Sequence, residues 1–347
     1  MALKFSTRRL GVNGPLVTSL GYGAMGLSTA YGPPKTDQER FAMLDHVYES
    51  GVGFWDTSDS YGDSEDLLGR TQRWFKRNPG ARESIFLATK FGVYSNTETG
   101  ERAFRNDPEY IKQACEKSLN SLGVDHIDLY YCHRIQTDQP IEITVREMNK
   151  LQDAGKIKYL GLSECSATTL RRACKVAQIS AVQIEYSPFS MDIEDPEIGL
   201  LAACRELGVA VVAYSPLGRG FLTGAIRSPD DFKAGDARKS FPRFSEDNFS
   251  KNLKLVDILT SLAQEKGCTP AQLVLAFLQA QGEYIIPIPG STSPGNWDEN
   301  VGCAQVAISS DDNGKIRQAV AATQVHGHRL PPAFSQSLFA DTVPLES

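Results

Sequence analysis

Short apolar runs alternate along this chain with longer stretches in which apolar residues recur at the spacing of one helix face. Eight runs read as strands, at 19–23, 53–56, 85–90, 127–133, 158–163, 181–185, 209–215 and 284–287. They are continuously apolar rather than alternating, as expected of parallel strands covered on both faces. Between them, 107–122 sets Ile111, Ala114, Cys115, Ser118, Leu119 and Leu122 on one side of a 3.6-residue period. Asp107 caps its first turn, Pro108 suits the first helical position, and Gly123 supplies a left-handed exit. Thr269-Pro270-Ala271-Gln272 has the form of a capping box. Further helices are expected at 37–49, 64–76, 141–152, 167–177, 196–207 and 295–304.

Repeated strand-then-helix order implies a parallel sheet, and eight units in one chain favour its closure into a (β/α)8 barrel of the TIM type. No inter-domain linker is visible, so residues 1–347 read as one domain. Gly21-Tyr22-Gly23-Ala24-Met25-Gly26 fits the letter of a dinucleotide-binding glycine turn. No amphipathic helix follows it directly, which argues against a Rossmann fold. Two segments lie outside the rhythm. Residues 3–18 carry Gly11, Asn13, Gly14 and Pro15 and read as a β-hairpin laid across one end of the barrel. Residues 219–248 form an excursion too long for an ordinary connection, and loops of that length usually serve function. The chain closes on extra C-terminal helix and loop, with the stretch after Leu330 expected near the barrel mouth.

Composition narrows the classes. At 41% hydrophobic and 22% charged the chain is ordinary for a globular protein, and its net charge of −6 with no basic stripe disfavours a nucleic-acid partner. Cysteines 115, 132, 165, 174, 204, 268 and 303 are odd in number and contain no C-x-x-C pair. Reduced thiols are expected, rather than a disulfide framework or zinc site. His326 and His328 have no evident third ligand, so no metal is expected. Nothing approaches the ~20 apolar residues of a membrane span or the apolar core of a signal peptide, which makes the cytoplasm the default.

In such a barrel, catalytic groups sit at the C-terminal ends of the strands. The polar residues closing successive runs are Asp56, Lys90, His133, Ser163, Gln183 with Glu185, and Ser215, and Tyr61 follows five residues after Asp56. Reducing a carbonyl needs a hydride at carbon and a proton at oxygen. A tyrosine can give the proton, but with an ordinary pKa of about 10 it is a slow acid alone. A neighbouring lysine favours the phenolate, a buried aspartate holds that lysine in place, and a histidine polarises the carbonyl oxygen.

Phe54-Trp55-Asp56-Thr57-Ser58-Asp59-Ser60-Tyr61-Gly62, Ala88-Thr89-Lys90 and Asp128-Leu129-Tyr130-Tyr131-Cys132-His133 strongly resemble the aldo-keto reductase superfamily. So do Gly161-Leu162-Ser163-Glu164, Gln183-Ile184-Glu185-Tyr186-Ser187, Ala213-Tyr214-Ser215-Pro216-Leu217-Gly218-Arg219-Gly220 and Ile286-Pro287-Ile288-Pro289-Gly290-Ser291. The blocks span roughly residues 5–306 in order and at matching spacing. Tyr22 to Ser28 and the Ser163-Glu164 pair look closest to the microbial and plant branch that includes pyridoxal reductase.

The resemblance implies a catalytic tetrad of Asp56, Tyr61, Lys90 and His133. It also implies that Ser163 and Gln183 hold the nicotinamide carboxamide, that Tyr214 stacks on the ring, and that Ser215, Leu217, Gly218 and Gly220 follow the pyrophosphate. Gly290 and Ser291 would meet the adenosine phosphate end, and Glu299 and Asn300 the adenine. This chain departs from the pattern in having Gly290, Ser293 and Asn296 where many members place basic residues against a 2′-phosphate. Hydroxyls and helix amides bind phosphate less strongly without a counter-charge; Arg219, Arg227, Lys233 and Arg238 are candidates to supply it. NADPH is favoured on family grounds, with NADH as the alternative. Glu164 stands where many members carry Asn.

The leading expectation is an NADPH-dependent oxidoreductase that reduces a small-molecule aldehyde or ketone. Arg134 hints at a polar or anionic substrate; the Tyr61 loop, the Tyr94 region and Phe189 are candidates to line its pocket. The alternative is a redox-sensing subunit that binds cofactor and turns over slowly. Substrate, reaction direction and oligomeric state are left open by the sequence.

Overall fold

The computed structural model describes residues 5–69, 74–96 and 99–346. All eight apolar runs become strands: β1 (Tyr22–Gly23), β2 (Phe54–Asp56), β3 (Phe86–Phe91), β4 (Ile127–Cys132), β5 (Ile157–Ser163), β6 (Ile179–Glu185), β7 (Ala210–Tyr214) and β8 (Ile285–Pro287). They pair in parallel, each with its neighbour in chain order. The first and last strands meet through Gly21 N–H donating to Pro287 O at 2.9 Å and Gly23 N–H donating to Pro289 O at 3.1 Å. A Cβ on Gly23 would lie 2.9 Å from Ile288 O, and one on Gly290 would lie 2.9 Å from Gly23 O. Glycine at both positions lets two backbones approach closely enough to close the barrel.

Both faces of the strands are buried, for different reasons. Phe54, Ala88, Leu129, Tyr131, Ala181 and Val212 form the interior packing, which Leu10 and Val17 of the hairpin join. Trp55, Leu87, Tyr130, Leu162, Val182 and Val211 belong to the larger cluster with the surrounding helices. The expected hairpin pairs Thr7–Arg9 with Leu16–Thr18. Arg8 ties it down by donating to the carbonyls of Gln279, Gly282 and Ile285.

The expected helix caps form. Asp107 accepts from Tyr110 N–H ahead of Pro108–Leu122, Gly123 exits at φ 65°, and Thr269 and Gln272 complete a capping box. Several boundaries move. The expected helix 64–76 is Ser64–Leu68 and Trp74–Arg77, and positions 70–73 lie outside the described residues. The helix expected from 196 starts at Leu200, behind a left-handed Gly199. The one expected at 295–304 is Pro294–Val301, continued by a 3-10 turn. The extra C-terminal helix is Ser310–Thr323; the helices Met25–Ser28, Ala81–Ser84 and Glu246–Lys266 were not anticipated, nor was the small hairpin of Val93–Ser95 with Arg102–Phe104. The excursion 219–248 is a succession of 3-10 turns. They are held by an aromatic cluster in which Phe221 meets Phe249 at 5.1 Å and Phe232 meets Phe244 at 5.6 Å.

The C-terminal segment crosses the mouth as expected. Ala340 N–H donates to Glu164 O at 2.8 Å and Ser166 N–H to Ala340 O at 3.0 Å, directly beyond the end of β5.

Candidate active site

Asp56 ends β2, Lys90 is the penultimate residue of β3, and His133 follows β4, so parallel register alone brings the three to one end of the barrel. Tyr61 reaches them because its loop is pinned. Thr57 N–H donates to Ala88 O, Asp59 N–H to Lys90 O and Tyr61 N–H to Ser58 O, after which Gly62 turns at φ 59°. Lys90 is fully buried. Its ammonium donates to Asp56 Oδ1 at 2.5 Å, Thr57 O at 2.7 Å and the Tyr61 hydroxyl at 3.4 Å. The second oxygen of Asp56 accepts from Gln183 Nε2 at 2.8 Å. The His133 ring stands edge-on to Tyr61, with centroids 5.6 Å apart.

Electrostatics assign the charge states. Burial alone would lower the Lys90 ammonium, but the charge of Asp56 and then the Tyr61 oxygen hold it above its ordinary value. Burial, followed by the charges of Arg134 and Lys90, keeps the His133 imidazole well below its ordinary value. It is therefore neutral near pH 7. Its Nδ1 faces two hydroxyls, Ser58 Oγ at 3.1 Å and Ser60 Oγ at 3.4 Å.

The residues expected to hold a nicotinamide also gather here. Ser163 and Gln183 are paired across β5 and β6, and both are buried. Ser163 Oγ accepts from Arg134 Nη1 at 3.4 Å, and that guanidinium also caps His133 O. Gln183 is already committed to Asp56 through its amide nitrogen. Tyr214 ends β7 and donates its hydroxyl to Glu164 Oε1 at 2.7 Å; burial and then the Glu164 charge push the phenol up, so it stays a donor.

Beyond Tyr214 the backbone turns left-handed at Ser215, Gly218, Arg219 and Gly220. Gly218 N–H and Gly220 N–H donate within this turn, to Ser215 O and Leu217 O. Gly290 lies at the barrel seam. Ser291 accepts from Tyr22 at its carbonyl, and its hydroxyl bonds Ser293. Asn296 is exposed, Glu299 half-buried and Asn300 buried on Pro294–Val301.

Three of the four basic candidates in the excursion are paired elsewhere: Arg219 with Glu185, Arg227 with Asp257 and Arg238 with Asp236. Lys35, unremarked in the sequence, donates its ammonium to Thr292 O at 2.8 Å and places a charge on this segment from 257 positions away. Phe189 is buried against Phe221 and Phe244. Ser58 and Ser60 were also missed, though both stand within the motif that carries Asp56 and Tyr61.

Comparison with known proteins gives a consistent result. Residues 19–321 match the model of the Aldo/keto reductase family. The chain is 48% identical over 345 residues to the aldo-keto reductase yakc [NADP(+)] of Schizosaccharomyces pombe, covering 99% of each chain. It is 48% identical over 328 residues to the aldo-keto reductase str7 of Strobilurus tenacellus, covering 93% of this chain and 94% of that one. Among solved structures, the glycerol dehydrogenase AKR11B4 of Gluconobacter oxydans superposes with a TM-score of 0.81 at 24% identity, over 93% of this chain and 97% of that one. The thermostable aldo-keto reductase Tm1743 does so at 0.70 and 24%, over 90% and 99%. At that identity the two structures speak for the fold alone.

Proposed function

The chain belongs to the aldo/keto reductase family, and from that premise we propose that it reduces an aldehyde or ketone to the alcohol with NADPH, Tyr61 giving the proton. The observation that carries this is the buried chain from Gln183 through Asp56 and Lys90 to the Tyr61 hydroxyl. No purely structural need explains a fully buried ammonium aimed at a phenol in a barrel mouth.

The mouth fits a nicotinamide dinucleotide on its own evidence. The left-handed turn 215–220, with no side chain at Gly218 or Gly220, lets backbone be approached closely at the same end of the barrel. Ser163, Gln183 and Tyr214 would hold the ring, Ser215, Leu217, Gly218 and Gly220 the pyrophosphate. Gly290, Ser291, Ser293, Asn296, Glu299 and Asn300 would line the adenosine end, and Lys35 would supply the counter-charge that segment lacks. The NADP(+) in the name of the Schizosaccharomyces pombe relative supports the phosphorylated cofactor.

When bound, the reduced nicotinamide supplies the hydride for the carbonyl carbon. The protein's own groups handle the oxygen. His133, neutral and accepting at Nδ1 from Ser58, presents Nε2–H to it. The Tyr61 O–H transfers its proton as the C–O bond gains charge, and Lys90 stabilises the phenolate left behind until solvent returns a proton. Asp56 keeps Lys90 charged and in place without touching substrate. Arg134, half-buried beside His133, supports a substrate with a polar or anionic group near its carbonyl.

We read residues 1–347 as one catalytic unit, since the tail packs on the barrel mouth. No helix among the described residues is long and apolar enough to cross a membrane. With seven free cysteines, that supports a cytoplasmic setting.

The test is NADPH oxidation at 340 nm against a panel containing pyridoxal and 4-nitrobenzaldehyde. Tyr61→Phe is expected to lower kcat by ~10²–10⁴-fold while leaving cofactor affinity nearly unchanged. Tight cofactor binding with turnover no faster than about one per minute would favour the redox-sensing role over the reductase. No cofactor binding would refute both.

A further inference from the structure

The His133 ring is oriented by a hydroxyl that also faces a carboxyl. Ser58 is fully buried, and its Oγ lies 3.1 Å from His133 Nδ1 and 3.3 Å from Asp59 Oδ1. The same oxygen accepts from Ser60 N–H at 3.2 Å and lies 2.9 Å from the Ser60 hydroxyl. Asp59 is half-buried and its backbone is anchored, with N–H donating to Lys90 O at 3.2 Å. Its carboxyl is faced by Glu65 of the helix Ser64–Leu68, by Lys117 and Tyr110 of the helix Pro108–Leu122, by Lys90 of β3 and by Tyr130 of β4. Burial and then Glu65 outweigh the two lysines and push it up to about 8. Around His133 the charges are those of Arg134 and Lys90, which with burial keep the ring neutral.

A hydroxyl has one proton to give and two lone pairs to offer. One lone pair of Ser58 is taken by Ser60 N–H, so the state of Asp59 decides the rest. Neutral Asp59 donates to the second lone pair, and the Ser58 proton turns to His133 Nδ1. The imidazole proton then stands on Nε2. Ionised Asp59 is the stronger acceptor and draws the Ser58 proton to itself. His133 then carries its proton on Nδ1 and donates to Ser58, which leaves Nε2 as a lone pair. The ring is neutral in both states. The Ser60 hydroxyl, 3.4 Å from Nδ1, is at the limit of a hydrogen bond there and closer to Ser58 Oγ. A carbonyl oxygen only accepts, so only the Nε2–H form polarises it.

We propose that Asp59 is a positioning residue that acts through Ser58 to set the tautomer of His133: neutral Asp59 presents Nε2–H to a carbonyl oxygen, and ionised Asp59 withdraws it. The consequence for catalysis rests on the reading of the site as a carbonyl reductase. Asp59 thereby gives the mouth an alkaline off-switch that changes no charge on His133. It stands apart from the chain of Asp56, Lys90 and Tyr61 that handles the proton.

The experiment is nitrogen-15 NMR of histidine-labelled protein without cofactor or substrate, with the His133 signals assigned by their loss in His133→Gln. Protonated and bare nitrogens of a neutral imidazole resonate far apart, so the tautomer is read directly. Wild type is expected to carry the proton on Nε2 at about pH 6.5 and on Nδ1 at about pH 9.5, to either side of the Asp59 value. Asp59→Asn, uncharged throughout, is expected to keep it on Nε2 at both. In Ser58→Ala the link is cut, and the tautomer should not follow pH. In turnover, wild-type kcat for reduction is expected to fall by ~10-fold or more between these conditions, as when a donor to the developing oxyanion is lost. In Asp59→Asn the fall should stay within about threefold. A merely structural Asp59 would change kcat alike at both conditions and leave the tautomer where it was, which would overturn the proposal. So would a wild type that shows no swap, or a swap that survives in either variant. If Asp59→Asn does not fold, Ser58→Ala decides by the same criterion. A tautomer swap in a protein that oxidises no NADPH would sink the reductase reading and leave the link from Asp59 to His133 standing.

Discussion

Asp59 shows how single residues in this mouth couple chemistry to stability. Its amide is spent on Lys90 O, while its carboxyl is pushed up to about 8, first by burial and then by the charge of Glu65. A group whose folded value is raised binds protons more tightly in the folded state. Its contribution is therefore complete below the ordinary aspartate range and is lost as pH rises toward 8. Stability measured by urea unfolding is expected to fall across pH 4 to 8, and Asp59→Asn is expected to flatten that fall. A profile equally steep in the variant would show that another group is responsible. His133 leans the other way: because it is neutral throughout this range, the electrophilic assistance proposed for it should not titrate through the imidazole itself between pH 6 and 8.

At the scale of elements, two junctions decide whether the site exists. The first is the seam between β1 and the stretch after β8. Gly290→Ala would drive a Cβ to 2.9 Å from the Gly23 carbonyl, and neither backbone can yield without losing the closing hydrogen bonds. A loss of ~1–3 kcal/mol is expected, seen as a lowered Tm. The same change on Gly295, where a Cβ meets nothing within 4 Å, should be close to neutral and serves as control.

The second junction joins the loop before the helix Asp37–Glu49 to the start of the helix Pro294–Val301, where Lys35 lies on Thr292. A solvent-exposed charge of this kind contributes ~0.2–1 kcal/mol, so Lys35→Ala should raise the KM for NADPH by roughly 1.4- to fivefold at low salt. The KM for NADH should not move. A parallel rise for both cofactors would assign Lys35 to loop stability instead.

Across the whole molecule, legibility followed the range of the interactions. Strands and caps are local, and Asp107, Gly123 and Thr269 announced their helix ends from side-chain chemistry a few residues wide. The gathering of Asp56, Tyr61, Lys90 and His133 was legible for a related reason. Each member closes an apolar run or follows one closely, and parallel pairing in chain order leaves those ends nowhere else to go. The helix Glu246–Lys266 escaped notice although Phe249, Leu255, Val256, Leu259 and Ala263 share a face, because the Gly-, Asp- and Arg-rich excursion runs straight into it. The partners of charged side chains were illegible altogether. Arg219 and Arg238 read as free cations in the sequence, but folding commits them to Glu185 and Asp236.

By itself, then, the sequence determined the barrel and the strand ends at which Asp56, Lys90 and His133 meet, since periodicity and strand order suffice for these, while the catalytic role proposed for them and for Tyr61 rests on the resemblance to aldo-keto reductases. Only the tertiary structure decided what surrounds them. The Ser58 and Ser60 hydroxyls at His133, the lysine over the Thr292 carbonyl and the arginine of the tail against Glu164 join positions up to hundreds of residues apart. The physical reason is that a buried charge is tolerated only where a partner meets it, and which partner does so depends on how the closed barrel packs against its loops and tail.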